Sequence, residues 1–283
     1  MTALTTVQPL GQSRETTPPA PTARPAKPRR RWLTEQRVVG GIAVVTAFVL
    51  WEIVALLRLK PALILPGPTD VLKAFGDLVR RGTIWTDLAT SATELVSGLG
   101  LAIVIGLPLG LLLGWYRRLH YALNPFITFL YATPRIALMP LMIIWLGIGN
   151  SSKIAIVFLM AFFPVLINTS QGVGALDQGT VRVAKCFGAS DLQLFVTVAL
   201  PGTVPFIISG IRLAVGQALI GVYVAEMSGA VHGVGLMMNT AGQQFQTSKV
   251  FAGLFIFAIT GVVLTYLLRR VETHFAAWRP DLH

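Results

Sequence analysis

Apolar residues in this chain gather into long blocks instead of the one-sided stripe of a soluble amphipathic helix. Six blocks cover residues 38–58, 92–115, 122–146, 153–171, 204–227 and 250–269. Each is close to or above the ~20 residues that an α-helix needs to cross bilayer hydrocarbon. The pattern predicts an all-α polytopic membrane protein with about six transmembrane helices and no sizeable soluble domain.

The intervals between blocks add detail. In residues 59–91, the Pro66-Gly67-Pro68 turn leads into Thr69 and Asp70 as a helix start. Val71, Leu72, Phe75 and Leu78 then recur at helical spacing, which predicts an amphipathic helix lying on the membrane surface. The third block holds Pro134 and Pro140 and is expected to be kinked or broken, as membrane helices tolerate where neighbours or a cavity satisfy the freed carbonyls. Gly98, Gly100, Gly106, Gly110 and Gly114 offer small faces for close helix approach.

Composition agrees with this pattern. Hydrophobic residues make up 54% of the 283 and charged residues 12%, with a mean hydropathy of +0.68; a soluble domain carries about 25% charged residues. The net charge of +11 does not point to nucleic acid, because the basic residues flank apolar blocks. With alternate loops assigned to one side, 14 Lys and Arg fall with the termini and 7 on the other side, predicting cytoplasmic termini. Seven of the 14 lie in residues 1–37, a Pro- and Ala-rich segment ending in Arg29, Arg30 and Arg31 that reads as a disordered basic tail. Arg30-Arg31-Trp32-Leu33 resembles a twin-arginine export signal only loosely, since several further spans follow. Residues 38–278 form the transmembrane domain, and 279–283 a short C-terminal tail. The lone Cys186 cannot form an intrachain disulfide.

Residues 172–203 are too long for a simple connection. Residues 181–187 suit a short helix, with Val181, Ala184 and Cys186 or Phe187 available for packing, and Gly188 can take the left-handed conformation that stops it. Ser190 and Gln193 form a capping-box pattern for a second helix over 191–200, with Asp191 complementing its dipole. Pro201 is expected to close that helix. Such a helix pair is either a rigid knob for a soluble partner or an interfacial pair resting on lipid headgroups.

Candidate chemistry is sparse. No phosphate-binding G-x-x-x-x-G-K-[ST] motif, no H-E-x-x-H, no G-x-S-x-G and no paired-carboxylate constellation occurs, so no catalytic residue, metal ligand or cofactor is assigned to this chain. The four histidines form no ligand cluster, and Met237-Met238 reads as packing. Charges within apolar blocks are functional candidates by default. Arg135, next to Pro134, either faces an aqueous path where it attracts an anion, or snorkels to headgroups or pairs with an acid. Arg212 and Glu226, near opposite ends of the fifth block, either gate the path or brace the helices. Glu52 and Glu94 receive no transport role.

Arg182-Val183-Ala184, then Gly188, Val198, Leu200 and Pro201, is similar to the EAA motif (E-A-A-x3-G-x9-I-x-L-P) of permease subunits in ATP-binding-cassette importers. Arg182 replaces the glutamate and Val183 the first alanine. The likeness runs from about residue 38 to 278 and looks most like the nitrate/sulfonate/taurine branch. Its phrases include Leu65-Pro66-Gly67-Pro68, Thr133-Pro134-Arg135-Ile136-Ala137-Leu138-Met139-Pro140-Leu141, Trp145-Leu146-Gly147-Ile148-Gly149 and Gly210-Ile211-Arg212-Leu213-Ala214. The resemblance implies a type I importer permease fold in the cell (inner) membrane, working as a homodimer in contact with lipid. It further implies two ATPase subunits carrying ATP and Mg, and an external solute-binding protein. Coupling to the ATPase would fall on Arg182, Val183, Ala184, Gly188, Ser190, Asp191, Val198, Leu200 and Pro201. Path candidates are Pro134, Arg135, Pro140, Arg212 and Glu226. The cargo would be a small organic or inorganic anion such as a sulfonate or nitrate. A self-sufficient ion-coupled carrier or channel is the alternative, and would show internal repeats with paired interrupted helices; an intramembrane enzyme would need a convergent catalytic set.

Overall fold

A computed structural model describes residues 31–57 and 64–275. The chain divides into two units, residues 1–48 and 49–283. Helix α1 (Arg31–Leu56) begins in the first and ends in the second, and its Val38–Leu56 portion is long and apolar enough to cross a membrane. The predicted tail is shorter than 1–37, because residues 31–37 are already helical: no Gly or Pro interrupts them. The rest of that tail, and the predicted tail 279–283, lie outside the described residues.

Helix α2 (Pro68–Arg81) starts with proline, whose missing N–H costs nothing in a first turn, and ends on Gly82 in the left-handed region at φ +76°. Its Val71 and Leu78 are buried against Ile84 and Ala252, next to Trp51 and Phe251. The apolar face predicted to lie on lipid headgroups is therefore partly turned into the protein, although Leu72 stays 70% exposed. Glu52 ties α1 to this segment by accepting from the Thr69 hydroxyl at 2.8 Å.

Helix α3 (Thr83–Trp115) starts nine residues before the expected second span, because nothing breaks the helix after Gly82. It runs parallel to α6 (Asn150–Gly174), and α9 (Leu200–Met227) runs antiparallel to both; these three make the core. Four of the five predicted small faces build the α3–α6 seam at a constant sequence offset. Gly98 meets Val157, Gly106 meets Val165 and Phe162, Gly110 meets Leu166 and Thr169, and Gly114 meets Val173. Gly100 faces open space and has no part in it. From α9, Gly210 and Gly221 close on α6 around Asn168 and Val157, while Gly172 of α6 takes Thr203 and Phe206.

The third predicted span is broken. Helix α4 (Arg117–Ala132) and the stretch Arg135–Leu146 are bent by 87°. Thr133 at ψ 134° and Pro134 at ψ 93° are extended, as the residue before a proline is driven out of helical geometry. A 3-10 turn (Arg135–Leu138) follows, then α5 (Met139–Leu146). Pro140 falls in the first turn of α5 and starts this helix without kinking it.

The loop 172–203 is shorter than expected. Helix α6 continues to Gly174, α7 covers Gln178–Cys186, and from Asp191 onward the chain is helical to Met227: α8 (Asp191–Leu194), a π-turn (Phe195–Ala199), then α9. Pro201 does not close the second helix. The Leu200 N–H reaches back to the Phe195 carbonyl, and the widened turn accommodates a proline that would otherwise press on the carbonyl four residues before it. Helices α10 (Val234–Gln243) and α11 (Thr247–Phe275) complete the described chain.

A Cβ at residue 110 would lie 2.7 Å from the Leu166 carbonyl oxygen, whereas one at 100 meets nothing within 4 Å. Gly110→Leu is expected to destabilise the detergent-extracted protein by about 1–3 kcal/mol or more, and Gly100→Leu to leave it unchanged. Thermal unfolding followed by fluorescence-detected size exclusion measures both.

Candidate functional site

Three groupings of polar side chains stand out, at the two ends of the α3–α6–α9 core and between them. At the α7 end, the Asp177 carboxylate caps α7, accepting from the amides of Gly179 (3.0 Å) and Thr180 (2.9 Å) and from the Thr180 hydroxyl (2.8 Å). These donors, the Gly179 amide first, hold the carboxyl below its ordinary range. Gly188 at φ +79° ends α7, with the Phe187 amide on the Val183 carbonyl (3.2 Å) and the Ala189 amide on the Ala184 carbonyl (3.1 Å).

The capping box that follows is complete: the Ser190 amide donates to Gln193 Oε1 (2.8 Å), and the Gln193 amide to Ser190 Oγ (3.3 Å). Lys185 and Asp191 face each other across the elbow at 3.8 Å, an exposed pair of little energetic weight. Leu194 and Ala199 point inward and anchor the elbow. Phe187 (88% exposed) and Leu192 (73% exposed) stand outward with Val183, beside Arg182 and Asp191. The structure thus brings the predicted coupling residues from Arg182 to Asp191 onto one elbow, and carries Val198, Leu200 and Pro201 into the rod leading to α9. Cys186 and Phe187, read as packing residues, are exposed instead.

At the α10 end, Glu226 is fully buried. Its Oε1 accepts from the Ser91 hydroxyl (2.5 Å) and its Oε2 from the Gly235 amide (2.5 Å). Ser91 Oγ in turn accepts from the Val234 amide (3.0 Å), and Asp87 Oδ1 from the Gly233 amide (3.0 Å). One carboxylate therefore fastens the end of α9 to α3 and to the first turn of α10. Beside it, Glu94 and Lys153 form a buried ion pair between α3 and α6. The sequence gives Glu94 no transport role and does not single out Lys153, the first residue of its block. The only hint was an acid set inside a block of apolar helix, for which a buried base is the natural partner. Arg212 stays apart from Glu226 and pairs with Glu272 of α11 at 2.7 Å.

Between these ends, at the break after Pro134, the Arg135 guanidinium lies 5.0 Å from the Tyr131 ring centre and 5.6 Å from that of Phe163. Its Nη1 is buried without a hydrogen-bond acceptor, and no carboxylate pairs with it among the described residues.

A helical core of this kind, with a broken span and a capped elbow, has counterparts among known proteins. The profile of the family described as binding-protein-dependent transport system inner membrane component matches residues 75–277. The chain belongs to this family. A Bacillus subtilis (strain 168) protein named as an aliphatic sulfonates transport permease is 34% identical over 256 residues, covering 90% of this chain and 91% of that one. The Escherichia coli (strain K12) taurine transport system permease is 33% identical over 260 residues, covering 89% and 94%. Among solved structures, an inward-facing methionine ABC transporter, MetNI, aligns with a TM-score of 0.57 at 18% identity, over 70% of this chain and 97% of that one. The fold is that of an ABC-importer permease, and the chain is a multi-pass inner-membrane transport component with sulfonate and taurine permeases among its relatives.

Removing one partner of the Glu94–Lys153 pair leaves a buried charge uncompensated. Lys153→Met is expected to cost about 3–5 kcal/mol, and Glu94→Gln with Lys153→Met together to recover most of it; thermal unfolding of the three proteins decides. Asp177 gives a pH prediction. Its carboxyl is depressed in the folded chain, so its contribution to α7 is present above the ordinary carboxylate value and lost as pH falls through the depressed one. Hydrogen exchange of the α7 amides, corrected for intrinsic rates, should show constant protection from about pH 5 to 8 and a loss only below about pH 4.

Proposed function

We propose that this chain is the membrane permease of an ATP-driven importer for a small organic or inorganic anion such as a sulfonate or nitrate. It works as two copies that enclose the path. Two ATPase subunits, which carry the ATP and Mg, dock on the α7–α8 elbow. An external solute-binding protein delivers cargo at the α10 end, and both termini are cytoplasmic. The 14-to-7 distribution of basic residues supports that orientation.

The observation that carries this reading is the union of a rigid, apolar-tipped elbow with a continuous rod. Asp191–Met227 is one 37-residue helical run, about 55 Å long. Its first turn is the elbow and its last turn holds Glu226 in the latch with Ser91 and Gly235. A partner gripping Phe187 and Leu192 therefore displaces the far end of the bundle through helix alone. Family membership and the names of the sulfonate and taurine relatives support the transport role and the anion class. A self-sufficient carrier or channel would have no use for an elbow of this build.

Valine at position 188 would have to adopt a left-handed conformation that costs about 1–2 kcal/mol. Gly188→Val is thus expected to insert normally and yet to lose coupling, with ATP hydrolysis in the reconstituted complex no longer tied to uptake. The measurement is the ratio of cargo moved to ATP hydrolysed in proteoliposomes. Wild-type coupling in that variant, or purification of the chain without any ATPase and transport by it alone, would overturn the proposal.

A further inference from the structure

We infer that Arg135 is an anion-binding residue of the translocation path, taking the oxyanion head group of a passing sulfonate. The inference rests on the importer reading and sharpens its substrate class.

Lys153 of α6, Arg212 of α9 and Arg135 at the break are cations that the structure treats differently. Lys153 is neutralised by Glu94, and Arg212 by Glu272. Arg135 faces two aromatic rings and no carboxylate. Ring faces stabilise a guanidinium through its flat side, and leave the in-plane N–H donors unused. One of these nitrogens, Nη1, is already out of contact with water and has no acceptor. A desolvated donor on a full positive charge is costly unless an acceptor arrives, and the two-pronged guanidinium edge matches an oxyanion.

Depth argues against snorkelling. Phe163 lies thirteen residues into the 25-residue α6, about 20 Å from its Asn150 end and about 17 Å from its Gly174 end. A guanidinium stacked on it is held near the middle of the bundle, too far in to reach a headgroup.

The backbone gives an independent pointer to water. The chain leaves helical geometry at Thr133 and Pro134 and bends by 87°. Irregular backbone at membrane depth persists only where protein buries it or where it lines a water-filled cavity. Here α4 has no buried residue, and Tyr131, Pro134 and Ile136 are all exposed on this chain. The α4 side of the break is therefore open to the outside of the subunit, where a path between two copies would run, while Met139 and Met142 beyond it pack on the core.

The test uses the assembled transporter in proteoliposomes, with ethanesulfonate as the probe. Cys186 is the only native cysteine, so Cys186→Ser with Arg135→Cys places a single thiol at the site. We expect the anionic reagent sulfonatoethyl methanethiosulfonate to label that thiol, and ethanesulfonate to slow the labelling. Uptake of radiolabelled ethanesulfonate should fall roughly tenfold or more in Arg135→Gln, as befits loss of a charge-assisted contact, and less in Arg135→Lys. Co-purification with the ATPase subunits confirms that each variant assembles. A thiol inert to the reagent, or wild-type uptake by Arg135→Gln, would overturn the role of Arg135 while leaving the importer reading intact. A wild-type complex that hydrolyses ATP but takes up no ethanesulfonate would overturn the sulfonate class in both. A chain that never associates with an ATPase would sink the importer reading itself.

Discussion

The close approach of α3, α6 and α9 along a seam of glycines is the constraint on which the remainder of the structure depends. Lipid tails are as apolar as leucine, so helices in a bilayer gain nothing from hiding apolar surface from one another. They gain from contact, which requires small residues where backbones meet. Gly98, Gly106, Gly110 and Gly114 supply it toward α6, and Gly210 and Gly221 supply it from the other side. Because the seam is tight, it also keeps water and lipid out of the α10 end, where Glu94, Lys153 and Glu226 are buried. Charges there must satisfy one another, and in doing so they fix how the three helices are rotated.

The core is built to move as a body. Helix α9 is joined without interruption to the elbow at one end and latched by Glu226 at the other. The one irregular place in that rod is the π-turn at Phe195–Ala199, where Phe195 packs edge-on against Trp115 at 5.3 Å. The π-turn makes room for Pro201 and keeps the rod continuous, so a push on the elbow is carried along the helix without being absorbed in a loop. Helix α4 lies outside this body, with no buried residue, and forms the flank of the subunit that an opposite copy or an aqueous path would meet, whereas α5 packs on the core through Met139 and Met142.

Much of this was legible in the chain. Block lengths near the thickness of a bilayer gave the spans, since the hydrophobic requirement is local and one-dimensional. Pro134 located the break, because proline acts on its immediate neighbour. The elbow was readable nearly to the residue: Gly188, Ser190 and Gln193 act through hydrogen bonds that reach three to five positions at most. Even the departures, Arg182 and Val183, kept the turn chemistry intact. The errors have local causes too. Pro201 was expected to end a helix that a π-turn carried through, and α2 was placed on lipid although Val71 and Leu78 found Ile84 and Ala252.

The sequence by itself thus determined the membrane class, the order of the apolar helices, the break and the elbow, all features whose physics is contained within a few residues of chain. Only the tertiary structure decided which glycines touch, that Gly100 does not, and that Glu94 pairs with Lys153. It also decided that Glu226 closes on Ser91 and Gly235, and that Arg135 meets rings and no acid. Each of those facts depends on helix rotation and offset. A hydrophobic block leaves both undefined, because every face of a membrane helix is apolar and only contact with a neighbour distinguishes one from another.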